Sequence, residues 1–182
     1  MKFTPLPLSG AWLIDLEKRE DARGFFARQY CEDEFAAQGL HTDWVQLNTA
    51  MNVQTGTVRG LHFQLPPKAE IKLVRCLKGA IFDVIVDLRQ GSDTFGKFAA
   101  LELSDQNRSM LYIPEGFAHG YQTLAPQTEL LYFHSERYSP GYEGGLRFSD
   151  PTMGIKWPLK AQEVSPRDLA FPTLEGITPL KV

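Results

Sequence analysis

The chain has 182 residues, of which 43% are hydrophobic and 12% aromatic, enough apolar material for a substantial core and too much for a disordered chain. Its 19 basic and 22 acidic side chains are interspersed and leave a net charge of -3, without the basic stripe that a nucleic-acid binder needs to displace counterions. No run reaches the roughly 18 apolar residues of a membrane span and the start lacks an apolar leader core, so a cytoplasmic protein without membrane partners is expected.

In chain order, strands are predicted over Ala11–Leu16 and Gly24–Tyr30, followed by a helix over Glu32–Gln38. Further strands follow over Trp44–Asn52, Thr57–Gln64, Lys72–Leu77, Ala80–Leu88, Lys97–Leu103, Ser109–Ile113, Ala118–Leu124 and Glu129–Ser135. Ser165-Pro-Arg-Asp reads as the start of a short late helix, with Ser165 as N-cap and proline in the first turn. Many short strands separated by Gly, Pro, Asp and Ser predict an all-β antiparallel sandwich or barrel with a few short peripheral helices. Nothing marks a linker or an internal repeat, so residues 1–182 are expected to form one domain. No Gly-x-Gly-x-x-Gly follows a strand, which gives no support to a dinucleotide fold. Cys31 and Cys76 form neither a Cys-x-x-Cys pair nor a disulfide framework and are expected to be buried apolar residues.

Alternation along the strands decides which side chains share a face. His62 and Gln64 point one way on their strand; Lys72 and Val74, Asp83 and Ile85, His119 and Tyr121, and Tyr132 and His134 align on theirs. If these faces meet inside one barrel, its interior holds His62, Gln64, Lys72, Asp83, His119, Tyr132 and His134, too polar a set for a plain core. Arg59 has the opposite parity to His62 and joins the set only if Gly60 marks a bulge.

Two chemistries compete for such an interior. A metal site would draw on His62, His119, His134 and Glu70, but Gln64 is a poor transition-metal ligand and Lys72 would repel a divalent ion, so none is expected. Proton transfer suits the inventory better: imidazole is a base near pH 7, a phenol donates a proton, and an ammonium stabilises a developing oxyanion. Asp83 and Asp168 both stand as candidates to orient a histidine base. Tyr132 and Asp83 also read as ordinary strand residues, Arg23 as an exposed charge beside a turn, and Val164–Asp168 as a capped surface turn. As planar guanidinium groups, Arg23, Arg59 and Arg167 equally suit a pyrophosphate.

The segments Gly56-Thr-Val-Arg-Gly-Leu-His62-Phe-Gln64 and Pro114-Glu-Gly-Phe-Ala-His119-Gly resemble the two motifs of the cupin superfamily of jelly-roll barrels, with Gln64 replacing the second histidine of a metal-binding first motif. More specifically, the chain resembles the dTDP-4-dehydrorhamnose 3,5-epimerase family along nearly its whole length. The resemblance rests on Asp21-Ala-Arg-Gly-Phe-Phe, Val45-Gln-Leu-Asn, Val58-Arg-Gly-Leu-His-Phe-Gln, Lys72-Leu-Val-Arg, Phe82-Asp-Val-Ile-Val-Asp-Leu-Arg, Ile113-Pro-Glu-Gly-Phe-Ala-His-Gly, Tyr138-Ser-Pro, Ile155-Lys-Trp-Pro and Ser165-Pro-Arg-Asp. It implies a cupin-type double-stranded β-helix and a cofactor-independent epimerase of a nucleotide-activated 4-keto sugar, most simply dTDP-4-dehydro-6-deoxyglucose, serving deoxysugar and surface-polysaccharide synthesis.

By the same resemblance His62 is the base, oriented by Asp168, Tyr132 is the acid on the opposite face of the sugar, and Lys72 stabilises the enolate. His119, paired with Asp83, supports the pocket. Gln46, Asn48, Arg59, Tyr138, Glu143 and Arg167 take substrate-binding positions, and a homodimer is implied in which Arg23 and Phe26 reach a neighbouring subunit's site. Arg28, where a Glu is frequent, Glu70, where a Gln is frequent, and the Arg147-Phe148-Ser-Asp segment depart from the pattern. These departures leave open a paralogue acting on another nucleotide, on a heptose, or at one of C3 and C5. A 3,4-ketoisomerase and a non-catalytic sugar-nucleotide binder are the alternatives.

Overall fold

The run Ala80–Asp87 shows why the chain closes into two facing sheets. Its alternate residues Ile81 and Ile85 join a cluster with Val74, Leu111, Tyr121 and Leu130, while Val84 and Val86 pack outward with Leu61, Phe63 and Leu146. Both faces are covered, so the strand is nearly continuously apolar. Each fully buried Leu or Ile there contributes about 1.5–3 kcal/mol of burial.

The structure, a computed structural model, describes residues 1–182. Its strands are β1 (Lys2–Pro5), β2 (Trp12–Asp15), β3 (Arg19–Asp21), β4 (Gly24–Phe26), β5 (Gln46–Asn52), β6 (Val58–Gln64), β7 (Lys72–Lys78), β8 (Ala80–Asp87), β9 (Phe98–Ser104), β10 (Met110–Ile113), β11 (Phe117–Thr123), β12 (Thr128–His134) and β13 (Glu143–Gly145). Two short helices accompany them, α1 (Glu32–Ala36) between β4 and β5 and α2 (Pro166–Leu169) after β13. One sheet has the order β1-β2-β10-β7-β12-β5 and the other β13-β6-β11-β8-β9, with β3 and β4 forming a separate hairpin. Every pairing between these strands is antiparallel, and sequence-distant strands alternate as neighbours, which is the cupin jelly roll expected from the motifs. None of the helices is long and apolar enough to cross a membrane.

Where prediction and structure differ, local physics accounts for it. The strand expected over Gly24–Tyr30 ends at Phe26. Tyr30 instead leaves the hairpin to pack on Phe35, at 4.9 Å between ring centroids, and on Trp44 and Phe133. The strand expected from Trp44 begins at Gln46, because Trp44 belongs to that same aromatic cluster. Strands β1, β3 and β13 have no apolar alternation and were not expected from pattern. β13 forms because Gly144 and Gly145 allow Phe63 and Phe171 to lie directly against the backbone. Cys76 is buried, whereas Cys31 is only partly so, at the N-cap of α1.

One distortion positions the site. β6 and β11 pair with His62 opposite His119 but Arg59 opposite Tyr121, a register shift that reverses the parity of Arg59. Gly60 makes this possible at φ +116°, since a Cβ there would lie 2.7 Å from Gly120 Cα and 2.8 Å from the His119 carbonyl. Arg59 and His62 therefore line the same cavity.

Candidate active site

His62, on β6, is held from behind. Its Nε2–H donates to Asp168 Oδ1 at 2.8 Å, leaving Nδ1 as the ring nitrogen without a protein partner. The second Asp168 oxygen accepts from the Gly60 N–H at 3.0 Å. Asp168 reaches this position because Ser165 caps α2, accepting from the Asp168 N–H at 3.0 Å. Burial pushes the Asp168 carboxyl up, but the hydrogen bonds from His62 and Gly60 outweigh it and hold the pKa below the usual value. The Phe171 ring meets the imidazole edge-on at 5.6 Å between centroids, so the His62 ring sits between a carboxylate and an aromatic wall.

A second pair lies deeper in the same sheet: His119 Nε2 is 2.6 Å from Asp83 Oδ1, and both side chains are buried. The two carboxylates that sequence left as alternatives thus serve different histidines. The opposite sheet supplies Lys72 from β7 and Tyr132 from β12. Tyr132 packs against His119 on one side, at 6.2 Å between centroids, and stacks on His134 on the other, at 6.0 Å. Burial, together with the neighbouring Tyr121 and the Asp83 carboxylate, pushes the Tyr132 phenol well above its ordinary pKa. Such a phenol keeps its proton until a strongly basic centre takes it.

These walls enclose a cavity of about 270 Å³ lined by His62, Lys72, His119, Tyr121, Tyr132 and Arg59, among others. It continues into a second cavity of about 170 Å³ lined by Gln46, Asn48, Gln64, Tyr138, Glu143 and Arg167. There the Arg167 guanidinium donates to Glu143 at 2.9 Å, and Gln46 accepts from the Tyr138 N–H at 3.2 Å. Arg59, which lines the first cavity, is held by donating from Nε to Asn52 Oδ1 at 2.8 Å and from a terminal nitrogen to the Met51 carbonyl at 3.4 Å. Gln64 is engaged with backbone: it donates to the Lys68 and Arg137 carbonyls and accepts from the Ser139 N–H, tying the segment after β12 to β6. No group of three or more His, Cys, Asp or Glu is arranged to hold a metal ion.

Arg23 and Phe26 are not brought to these cavities. Both lie on the β3–β4 hairpin, Phe26 at 74% exposure and Arg23 paired only with Asp21 at 2.6 Å. Of the positions that depart from the family pattern, Arg28 binds Glu34 at 2.6 Å. Phe148 is buried against Trp157 and its carbonyl accepts the indole N–H at 2.9 Å, a packing role. Glu70 lies between Lys72 and His134. Sequence reasoning missed Phe171, whose only signal was an aromatic three residues after Asp168, and Asn52, the anchor of both Arg59 and Tyr121.

Comparison with known proteins agrees with this arrangement. A family profile described as dTDP-4-dehydrorhamnose 3,5-epimerase matches residues 5–176. The dTDP-4-dehydrorhamnose 3,5-epimerase of Sinorhizobium fredii is 43% identical over 175 residues, covering 96% of this chain and 90% of the relative. A dTDP-4-dehydrorhamnose 3-epimerase of Streptomyces niveus is 40% identical over 169 residues, covering 92% of this chain and 81% of that protein. The crystal structure of dTDP-6-deoxy-D-glucose-3,5-epimerase from Legionella pneumophila in complex with dTDP-4-keto-L-rhamnose superposes with a TM-score of 0.91 at 34% identity, covering 99% of this chain and 97% of that one.

Proposed function

The chain belongs to the dTDP-4-dehydrorhamnose 3,5-epimerase family of isomerases, and from that premise we propose how its side chains invert carbons of a nucleotide-activated 4-keto-6-deoxy sugar. The substrate is dTDP-4-dehydro-6-deoxyglucose, with the sugar in the larger cavity and the diphosphate toward Arg59 and Arg167. His62 Nδ1 removes the proton from a carbon beside the C4 ketone, and the C–H electron pair moves into the carbonyl to form an enolate. The Lys72 ammonium stabilises the oxygen, an effect worth about 3–4 kcal/mol for one well-placed donor in other enzymes. Tyr132 gives its proton to the same carbon from the other face, and solvent then restores both groups. No metal or cofactor takes part in this scheme.

The observation that carries this reading is that His62 stands on β6 and Tyr132 on β12, strands of opposite sheets whose side chains line one cavity. Inversion needs a base and an acid on opposite faces of one ring, and sheets about 10 Å apart leave room for it. Inversion at C3 alone is the second reading, favoured by the 3-epimerase of Streptomyces niveus among the relatives.

The working unit is a cytoplasmic homodimer of chains that each act as one domain over residues 1–182. Support for the dimer comes from β5, an edge strand whose outward face bares Leu47 and Met51 at 55% and 49% exposure, with Val53 just beyond its end at 60%. A second copy on that face brings the partner's hairpin, with Arg23 and Phe26, to the nucleotide end of the site. Incubation in heavy water with dTDP-, GDP-, CDP- and UDP-linked 4-keto sugars tests the function, with deuterium followed at C3 and C5. Uptake with inversion from the dTDP sugar is expected. A 3-keto product would identify a ketoisomerase, and binding without exchange a non-catalytic sugar-nucleotide module.

A further inference from the structure

The proposed chemistry leaves unused a carboxylate that borders the site, largely covered by its neighbours. Glu70 stands just before β7, its side chain 9% exposed, with Oε1 3.0 Å from Lys72 Nζ and Oε2 2.7 Å from His134 Nδ1. It is stapled there by backbone: the Ile71 N–H donates to Ser135 Oγ at 2.7 Å and the Ser135 N–H to the Ile71 carbonyl at 3.0 Å. On the far side of the His134 ring, Nε2 is 3.3 Å from Asn48 Nδ2, and Asn48 Oδ1 accepts from Gln46 Nε2 at 3.2 Å.

The Glu70 carboxylate oxygens can only accept, so His134 Nδ1–H donates to Oε2 and the Lys72 ammonium to Oε1, and one carboxylate holds both groups. Burial pushes the Glu70 carboxyl up, but the Lys72 charge and the His134 hydrogen bond more than offset this and hold it at about 2. A glutamine at this position has one acceptor and one donor, and so accepts from only one of the two groups that the carboxylate serves. Lys72 and His134, with Asn48 and His62, line both cavities and form the neck between them.

We propose that Glu70 and His134 are positioning residues that fix the Lys72 ammonium on the enolate oxygen and tie it through Asn48 to the nucleotide end of the site. This rests on the epimerase reading above. A lysine head on a four-carbon stem has many rotamers, and one carboxylate anchored at its second oxygen by an imidazole reduces them to the one facing the substrate. Neither residue exchanges protons with the sugar in this role.

The test measures deuterium uptake from heavy water into dTDP-4-dehydro-6-deoxyglucose, and dTDP affinity by calorimetry, for wild type, E70Q, H134L and H134N. E70Q and H134L are expected to lower kcat by about 10–100-fold with little change in the Kd for dTDP. His134→Asn, whose amide donates from the place of Nδ1, is expected to recover about tenfold over H134L, which a purely space-filling role for the ring does not predict. Circular dichroism melts establish that each variant is folded, and if E70Q is not, the two His134 variants carry the comparison. Wild-type kcat in both E70Q and H134L, a loss confined to dTDP affinity, or an H134N no better than H134L would overturn the proposal. Failure of the wild type itself to take up deuterium would overturn the epimerase reading and this inference with it.

Discussion

Replacing Asp168 by asparagine changes one atom and removes the acceptor that sets the state of His62. Both carboxylate oxygens are in use, one accepting from His62 at 2.8 Å and the other from the Gly60 N–H at 3.0 Å. An amide has one acceptor, so in either orientation an N–H group faces an N–H donor at a residue only 4% exposed. Keeping the Gly60 bond turns the amide N–H toward His62 Nε2, and the ring satisfies it only by moving its proton to Nδ1, the nitrogen assigned to the substrate. The base then presents a proton instead of a lone pair. The equivalent change in a hydrolase triad lowers kcat about 10⁴-fold, which corresponds to about 5.5 kcal/mol of barrier. Keeping the His62 bond instead orphans the Gly60 N–H, at about 1–3 kcal/mol of stability. Initial rates of deuterium uptake, with urea unfolding and dTDP titration on the same samples, separate these outcomes. A folded Asp168→Asn enzyme within about tenfold of the wild-type rate would refute the assignment of His62 as a base oriented by this carboxylate.

Three further outcomes follow from the same geometry. His62→Ala should abolish deuterium uptake while dTDP still binds in calorimetry; retained turnover would place the base elsewhere. Asp87 has a fully buried side chain that accepts from Arg89, Ser92 and Thr94, and although burial opposes ionisation these bonds hold its pKa at about 2, below the ordinary 3.8. A depressed carboxylate stabilises the fold above its unfolded pKa and ceases to as pH falls through the folded one. Asp87→Asn should therefore cost about 2 kcal/mol near pH 7, and the gap should close between about pH 4 and pH 2 in urea unfolding; a gap independent of pH would show that the loss is steric. Gly60→Ala should destabilise by about 1–3 kcal/mol, because φ is +116° and the new methyl meets β11 backbone at 2.7 Å; an unchanged melting temperature would contradict the close approach of β6 and β11.

The parts of the site legible in sequence were those set by strand periodicity. Alternation alone put His62 with Gln64, Lys72 with Val74, His119 with Tyr121 and Tyr132 with His134 on common faces, and the jelly roll turned those faces toward one another. Pairings over long separations were not legible. Asp168 reaches His62 across 106 residues and Asp83 reaches His119 across 36, and nothing local distinguishes one carboxylate from the other. Arg59 depended on whether Gly60 distorted its strand, a question of how closely two backbones approach that no pattern in one strand answers. Glu70 stood in the sequence as a candidate metal ligand and a departure from the family pattern, but its pairing was not legible, because its partners Lys72 and His134 come from two neighbouring strands whose register had first to be known. The hairpin bearing Arg23 and Phe26 lies apart from both cavities of the site, and Phe26 instead lines a separate pocket with Met1, Glu17 and Arg28.

The central claim is that base and acid act from opposite sheets on one carbon, and the stereochemical course of a Tyr132→Phe variant in heavy water tests it most directly. With His62 intact and the acid removed, the proton taken from the sugar exchanges with solvent on the imidazole and returns to the face it left. The account predicts deuterium at C3 or C5 with configuration retained, and inversion slowed by at least about 10²-fold. Inversion at the wild-type rate by the Tyr132→Phe enzyme would contradict it.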